Sequence, residues 1–259
     1  MAEESSAQSE AHLEPVNLGS LCFPHIYREL VSEILAILLP DSGPHPSRCR
    51  LHYHAREGYL RIVGPEEFSL YPVSWMCKDN EMWWYDGLLD QDDRIKIFQC
   101  SPAWDKFIGQ HADSNKKPSL FLMPVIEGEI RDIPSVIFES GWGESGPLSI
   151  SDSLVWLEGT GGAVKVVIFL KTFTPDKENK IKATLTVCRN NPCGTIVKTE
   201  QNIFPAPDQI LPDPYITINE LYGGRTPASL GSDTQLPLSM EKLREFLGLL
   251  IRQKGHLPA

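Results

Sequence analysis

The sequence predicts an α+β protein built around an α/β core, and three observations carry that prediction. Residues 136–140 read as a short strand, residues 164–170 are apolar on both faces, and about ten residues of helical spacing lie between them. A run apolar on both faces suits a covered central strand, so the three pieces read as a βαβ crossover. After Lys171 the alternation of strand and helix stops. Residues 182–188 and 195–203 instead read as a meander across the turn at 190–194.

Taken in order, residues 1–18 read as a flexible acidic tail. Glu3, Glu4, Glu10 and Glu14 with no lysine or arginine make it too polar to bury and the opposite of a targeting peptide. In 25–39, Ile26, Leu30, Val31, Ile34, Ile37 and Leu38 recur at helical spacing until Pro40 ends the run, and the breakers of 41–47 make a loop. Residues 50–54 and 59–63 read as a hairpin across 56–58, which gives the chain a β-containing N-terminal extension. Between 66 and 117, Trp75, Trp83, Trp84 and Trp104 are scattered among Asp86, Asp90, Asp92 and Asp93 with no assignable period. Residues 120–125 read as a strand.

In the core unit, Ser149 or Ser151 caps a helix running to Glu158. Ile150, Leu154 and Leu157 share one face, Asp152 suits the helix dipole in the first turn, and the glycines of 159–162 stop the run. A proline-rich passage over 205–214 leads to a strand at 215–218. Ser239 then caps a final helix with Leu243, Phe246, Leu247, Leu250 and Ile251 as its stripe. No repeat appears, so residues 19–259 read as one domain with its core at about 119–253.

The bulk numbers narrow the function classes. With 24 Lys and Arg against 34 Asp and Glu, the net charge of −10 disfavours nucleic acid or an anionic membrane as a partner of the whole surface, though not of a local site. The six cysteines (22, 49, 77, 100, 188 and 193) contain no C-x-x-C pair, which removes the usual zinc spacing. No apolar run reaches the ~18 residues of a membrane span. The expectation is an intracellular protein, cytoplasmic or nuclear, with reduced thiols and no membrane association.

Glu139 is the residue of most interest. In a strand covered on both faces a glutamate is costly unless it is paired, holds a metal or reaches the strand's open end. A functional carboxylate and a strand-end carboxylate bonded to backbone fit equally well. Glu144 in the following turn and Asp152 are better explained by solvation and by the helix dipole. Lys165 and Lys171 bracket the second core strand on one face. Either could bring an ammonium toward Glu139, against the commoner reading of strand-end lysines reaching water. His52 and His54 share a strand face, which without a third ligand reads as surface chemistry. Residues 141–146 match G-x-G-x-x-G literally. Glu144, Pro147 and the meander after Lys171 argue against a dinucleotide site.

The stretch Glu139-Ser-Gly-Trp-Gly-Glu-Ser145, followed by Leu148, Asp152, Trp156-Leu157, the 164–171 strand and Lys182-Ala-Thr-Leu-Thr-Val187, resembles a group of fungal proteins with a PD-(D/E)XK, restriction-endonuclease-like core. The resemblance covers about residues 119–250. It implies a mixed sheet with a βαβ crossover flanked by helices, and a magnesium-dependent phosphodiesterase activity on nucleic acid, weak or degenerate. On it Glu139 is a metal ligand, Asp105 or Asp132 the second, and Lys165 or Lys171 the catalytic cation beside Mg2+. The family's lysine position is Ser145 here, and the partner aspartate is not evident after Ser101-Pro102. The alternative is a non-catalytic interaction module that binds a protein partner through the tryptophan-rich acidic region 75–105.

Overall fold

A computed structural model describes residues 20–27, 29–31, 33–34, 49–64, 67–143, 150–191, 193–209 and 211–259. The expected acidic tail, the second half of the 25–39 helix, the 41–47 loop and the turn at 144–149 with Ser149, one of the two capping candidates, lie outside the described residues.

Two sheets organise the chain. The smaller is antiparallel, built from β1 (Ser20–Phe23), β2 (Arg50–His54), β3 (Tyr59–Val63) and β5 (Asn115–Lys116) in the order β1-β3-β2-β5. Its β2–β3 pair is the expected hairpin, with Tyr53 opposite Leu60. Between β3 and β5 the chain forms α1 (Glu67–Tyr85), α2 (Gln91–Ile95) and β4 (Ile97–Cys100), so the first part of the stretch without a sequence period, 67–95, is largely helical. α1 escapes a periodicity reading because polar Asp79 and Asn80 are buried on it together with Trp75, Met76 and Trp83, which blurs any apolar stripe.

The larger sheet adds β6 (Leu120–Ile126), β7 (Glu129–Ile130), β8 (Val136–Trp142), β9 (Val166–Thr172), β11 (Ala183–Asn190) and β12 (Ile196–Phe204). Its order is β12-β11-β9-β8-β6-β4, with β7 attached to β6. β8 and β9 run parallel, joined through α3 (Ile150–Leu157), while the β4–β6, β6–β8, β9–β11 and β11–β12 pairs are antiparallel. The fold is therefore mixed α+β around a mixed sheet, and the crossover and meander fall where the sequence puts them.

Toward the C-terminus come β10 (Lys180–Ile181), β13 (Tyr215–Thr217), the single turn α4 (Ile218–Leu221), β14 (Gln235–Pro237), α5 (Met240–Gln253) and β15 (Leu257–Pro258). The Ser239 hydroxyl accepts from the Lys242 amide at the start of α5, as its sequence position implies.

Alternation along the strands sorts the core into two layers. Val136, Phe138, Leu120, Ile168 and Leu185 pack with Trp75 and Met76 of α1 and with Leu243 and Leu247 of α5. Ile137, Phe121, Val167 and Phe169 face the other way, onto Val155 and Trp156 of α3 and onto Trp104 and Phe107. Trp75 and Trp83 also donate to the carbonyls of Ser239 and Pro237, which clamps α1 to the start of α5. α3 is rotated from the expected face. Asp152, Ser153, Val155, Trp156 and Leu157 are buried while Leu154 is half-buried. Among the described residues, no helix is long and apolar enough to cross a membrane.

Candidate functional site

The inward face of the small sheet is its polar one. On β2, Leu51 and Tyr53 turn toward an apolar cluster with Leu60 and Ile62. The alternate residues Arg50, His52 and His54 are buried, together with Arg61 on β3 and Lys116 on β5. The two histidines thus share a face, as alternation predicts, but that face is interior rather than surface.

Glu139 is 1% exposed in the middle of β8 and points to the α3 side, between the two sheets. Trp156 Nε1 donates to Glu139 Oε1 at 2.9 Å, and Lys116 Nζ lies 3.4 Å from the same oxygen. Lys116, with no exposed surface, also donates to Asp152 Oδ1 at 2.5 Å. Asp152 Oδ1 is further met by His54 Nε2 at 3.0 Å, and Asp152 Oδ2 by the Arg61 guanidinium at 3.8 Å. The Lys116 ammonium stands 5.6 Å from the centre of the Trp156 ring. One lysine thus bridges two buried carboxylates on different elements, with an indole closing the other side. Nearby, Arg50 donates to the Ser119 hydroxyl and to the Ser140 carbonyl, fastening β2 to the β6–β8 edge.

The electrostatics follow from this packing. Burial pushes the Asp152 carboxyl up, but Lys116, Arg61 and His54 outweigh it and hold its pKa well below the usual carboxylate range. Burial pushes His52 well below the ordinary imidazole value, and Arg61, Lys116 and Arg50 add to that shift while Asp152 opposes it. Among the described residues, neither ring nitrogen of His52 has a hydrogen-bond partner.

The expected site residues do not converge on Glu139. Asp105 is exposed beside the buried Trp104, and Asp132 is exposed in the turn before β8. Lys165 enters β9 with its amide bonded to the Ser135 carbonyl and its Nζ on the Gly162 carbonyl, at the far end of the strand from Lys171. Lys171 pairs across from Gly141, and its ammonium sits 4.7 Å from the centre of the Phe173 ring. Lys116 and Asp152 take the places sought for them. Asp152 was readable as a helix residue, and its spacing of four from Trp156 puts both on one helix face. Lys116 left no signal, because a two-residue strand has no measurable period.

Magnesium needs oxygen ligands at about 2.0–2.1 Å in near-octahedral array. Here an ammonium occupies the space between the two carboxylates, and a tryptophan N–H takes the Glu139 oxygen that faces it. The residues present do not fit that ion at Glu139. Among the described residues, no group of three or more His, Cys, Asp or Glu side chains is arranged to hold a metal.

The aromatic region 75–105 divides in two. Trp75, Trp83 and Trp104 are core residues, so they present nothing to a partner. Beyond them, Tyr85, Ile95 and Phe98 are 69%, 66% and 45% exposed. Trp84 is half-buried, 4.6 Å from the Tyr85 ring and 5.2 Å from the Arg94 guanidinium. No family model, no curated protein and no solved structure matches this chain.

Proposed function

We propose that the chain is a non-catalytic protein-interaction module that binds an extended segment of a partner along β4. The observation that carries this reading is the open edge of the large sheet. β4 pairs with β6 on one side and, among the described residues, has no strand on the other. The Val125 amide bonds the Lys96 carbonyl, and Phe98 lies opposite Met123, so the backbone groups of 96, 98 and 100 face β6 while those of 97 and 99 face outward. An unpaired edge flanked by exposed apolar side chains suits strand addition, in which main-chain bonds give affinity and alternate side chains give selectivity. Ile95, Phe98 and Tyr85 supply the apolar contacts. Exposed Asp86, Asp90 and Asp92 in the same stretch favour a segment that alternates apolar with basic residues.

On this reading the core is a degenerate relative of the PD-(D/E)XK arrangement. Glu139 holds the strand position, and Lys116 and Asp152 convert it into an internal ion network that fastens the two sheets together. A phosphodiesterase centre has to reach a polymer from solvent, and Glu139, Lys116 and Asp152 are all sealed.

The test is a display screen of short extended peptides against the purified chain, with Phe98→Glu beside wild type. Enrichment of basic–apolar peptides whose binding weakens at least tenfold in Phe98→Glu supports the reading, as does protection of the Ile97 and Gln99 amides on binding. Binding that is unaffected by Phe98→Glu refutes it. So does magnesium- or manganese-dependent cleavage of DNA or RNA that Glu139→Ala abolishes, which would restore the nuclease reading.

A further inference from the structure

The opposite edge of the large sheet is a second, independent feature. β12 ends the sheet there, and among the described residues it pairs with β11 alone. It is nine residues long, Ile196–Phe204, against four in β4. Residues 197–200 are all exposed. We propose that two copies of this chain associate edge to edge along β12, antiparallel about a two-fold axis at Thr199, so that the sheet runs on from one copy into the other.

The direction of the backbone groups decides which residues can pair. The Phe173 amide bonds the Lys182 carbonyl, and the Asn191 amide bonds the Thr195 carbonyl. Carried along the registers of β9, β11 and β12, these bonds turn the main-chain groups of Val187 and Arg189 toward β12, and those of Val197 and Thr199 back toward β11. Lys198 and Glu200 therefore present their amides and carbonyls outward. At the far end the chain covers its own edge. Arg244 donates to the Asn202 and Ile203 carbonyls, and Gln201 Nε2 donates to the Pro212 carbonyl. The β11–β12 register also shifts there, between Ala183 and Thr184, which bends the pair. Among the described residues no backbone group covers the outward side of Lys198 or Glu200.

Charge then selects the occupant and its register. When two β12 edges pair antiparallel, outward-facing residues must meet outward-facing residues, so the axis passes through a residue and not between two. In the middle of the open stretch that residue is Lys198, Thr199 or Glu200. An axis at Lys198 sets two lysines against each other, and one at Glu200 sets two glutamates against each other. The axis at Thr199 places Lys198 of each copy opposite Glu200 of the other. These side chains are already complementary within one chain, with Nζ and Oε2 2.8 Å apart on one face of β12. A lysine on an edge strand ordinarily discourages pairing, and a glutamate two residues on reverses that effect in this one register. Val197, 47% exposed in the single chain, then meets Gln201 of the other copy and is covered. A dimer joined this way leaves both β4 edges free at its outer ends.

The experiment is sedimentation velocity of the full chain over a concentration series, with Lys198→Glu, Glu200→Lys, an equimolar mixture of those two variants, and Phe98→Glu beside wild type. The expected result is a concentration-dependent dimer in wild type. Each single reversal turns both opposite-charge pairs into like-charge pairs and should weaken association by about tenfold. The mixture should associate again, because each reversed side chain then faces its opposite. Phe98→Glu should self-associate like wild type, which separates this edge from β4. Both reversed side chains are about half exposed, so the variants keep the fold. A monomer at every concentration up to about 1 mM, a dimer indifferent to the reversals, a mixture that stays apart, or a dimer lost in Phe98→Glu would overturn the proposal.

Discussion

Replacing Lys116 with methionine is the most direct probe of the buried network. Lys116 has no exposed surface, and its ammonium is 2.5 Å from Asp152 and 3.4 Å from Glu139, both nearly sealed from water. Methionine fills similar volume, and the Trp104–Lys116 bridge is made by backbone atoms, so the change removes charge without opening a cavity. Breaking a buried pair by removing one partner costs about 3–5 kcal/mol. Asp152 keeps His54 and Arg61, and Glu139 keeps the Trp156 N–H, which places the expected loss at the low end, about 3 kcal/mol. That is roughly a hundredfold in the folding equilibrium, against a typical total of about 5–15 kcal/mol. Chemical denaturation followed by tryptophan fluorescence measures it. The paired variant Lys116→Met with Glu139→Gln removes one stranded charge and keeps an acceptor for Trp156, so it should recover about 1–2 kcal/mol. A single-variant loss below about 1 kcal/mol, or strictly additive effects, would refute the claim that this network holds the two sheets together.

Three further outcomes follow from the geometry. Gly159→Ala should destabilise by about 1–3 kcal/mol, since its Cβ would lie 2.3 Å from the Val155 carbonyl oxygen and 2.9 Å from His111 Cβ; an unchanged thermal midpoint contradicts this. His52 is held well below its ordinary pKa by burial and then by Arg61, so the unfolded chain takes up a proton that the folded one refuses. Stability should therefore fall as pH drops below about 6.5, and wild type should lose ground relative to His52→Leu; parallel pH profiles would count against it. Asp79 behaves oppositely. Burial raises its pKa to about 7, so its contribution is complete below the ordinary value of 3.8 and is lost as pH rises through about 7. Asp79→Asn keeps an acceptor for the Ser239 amide, and it should gain on wild type between pH 5 and pH 8.5. Equal slopes for the two proteins would show that Asp79 titrates normally.

The local elements are legible in the residues that form them. The β2–β3 hairpin, the β8–α3–β9 crossover, the β11–β12 meander and the capped α5 all announce themselves through period, turn residues and caps, and each signal is contained in one short stretch. The sequence also singled out Glu139, because a glutamate within an apolar strand is costly wherever it ends up. What the stretch cannot contain is the other side of a contact. Lys116 reaches Glu139 because β5 pairs with β2, placing Lys116 opposite His52, and because the polar face of that small sheet turns inward. Asp152 meets the same ammonium because α3 presents a different face from the one its leucines suggested. Trp75 and Trp83 of α1 became core, while Tyr85, Ile95 and Phe98 stay exposed. Tertiary packing decided each of these, since pairing between distant strands and the rotation of a helix on a sheet depend on what lies across the interface.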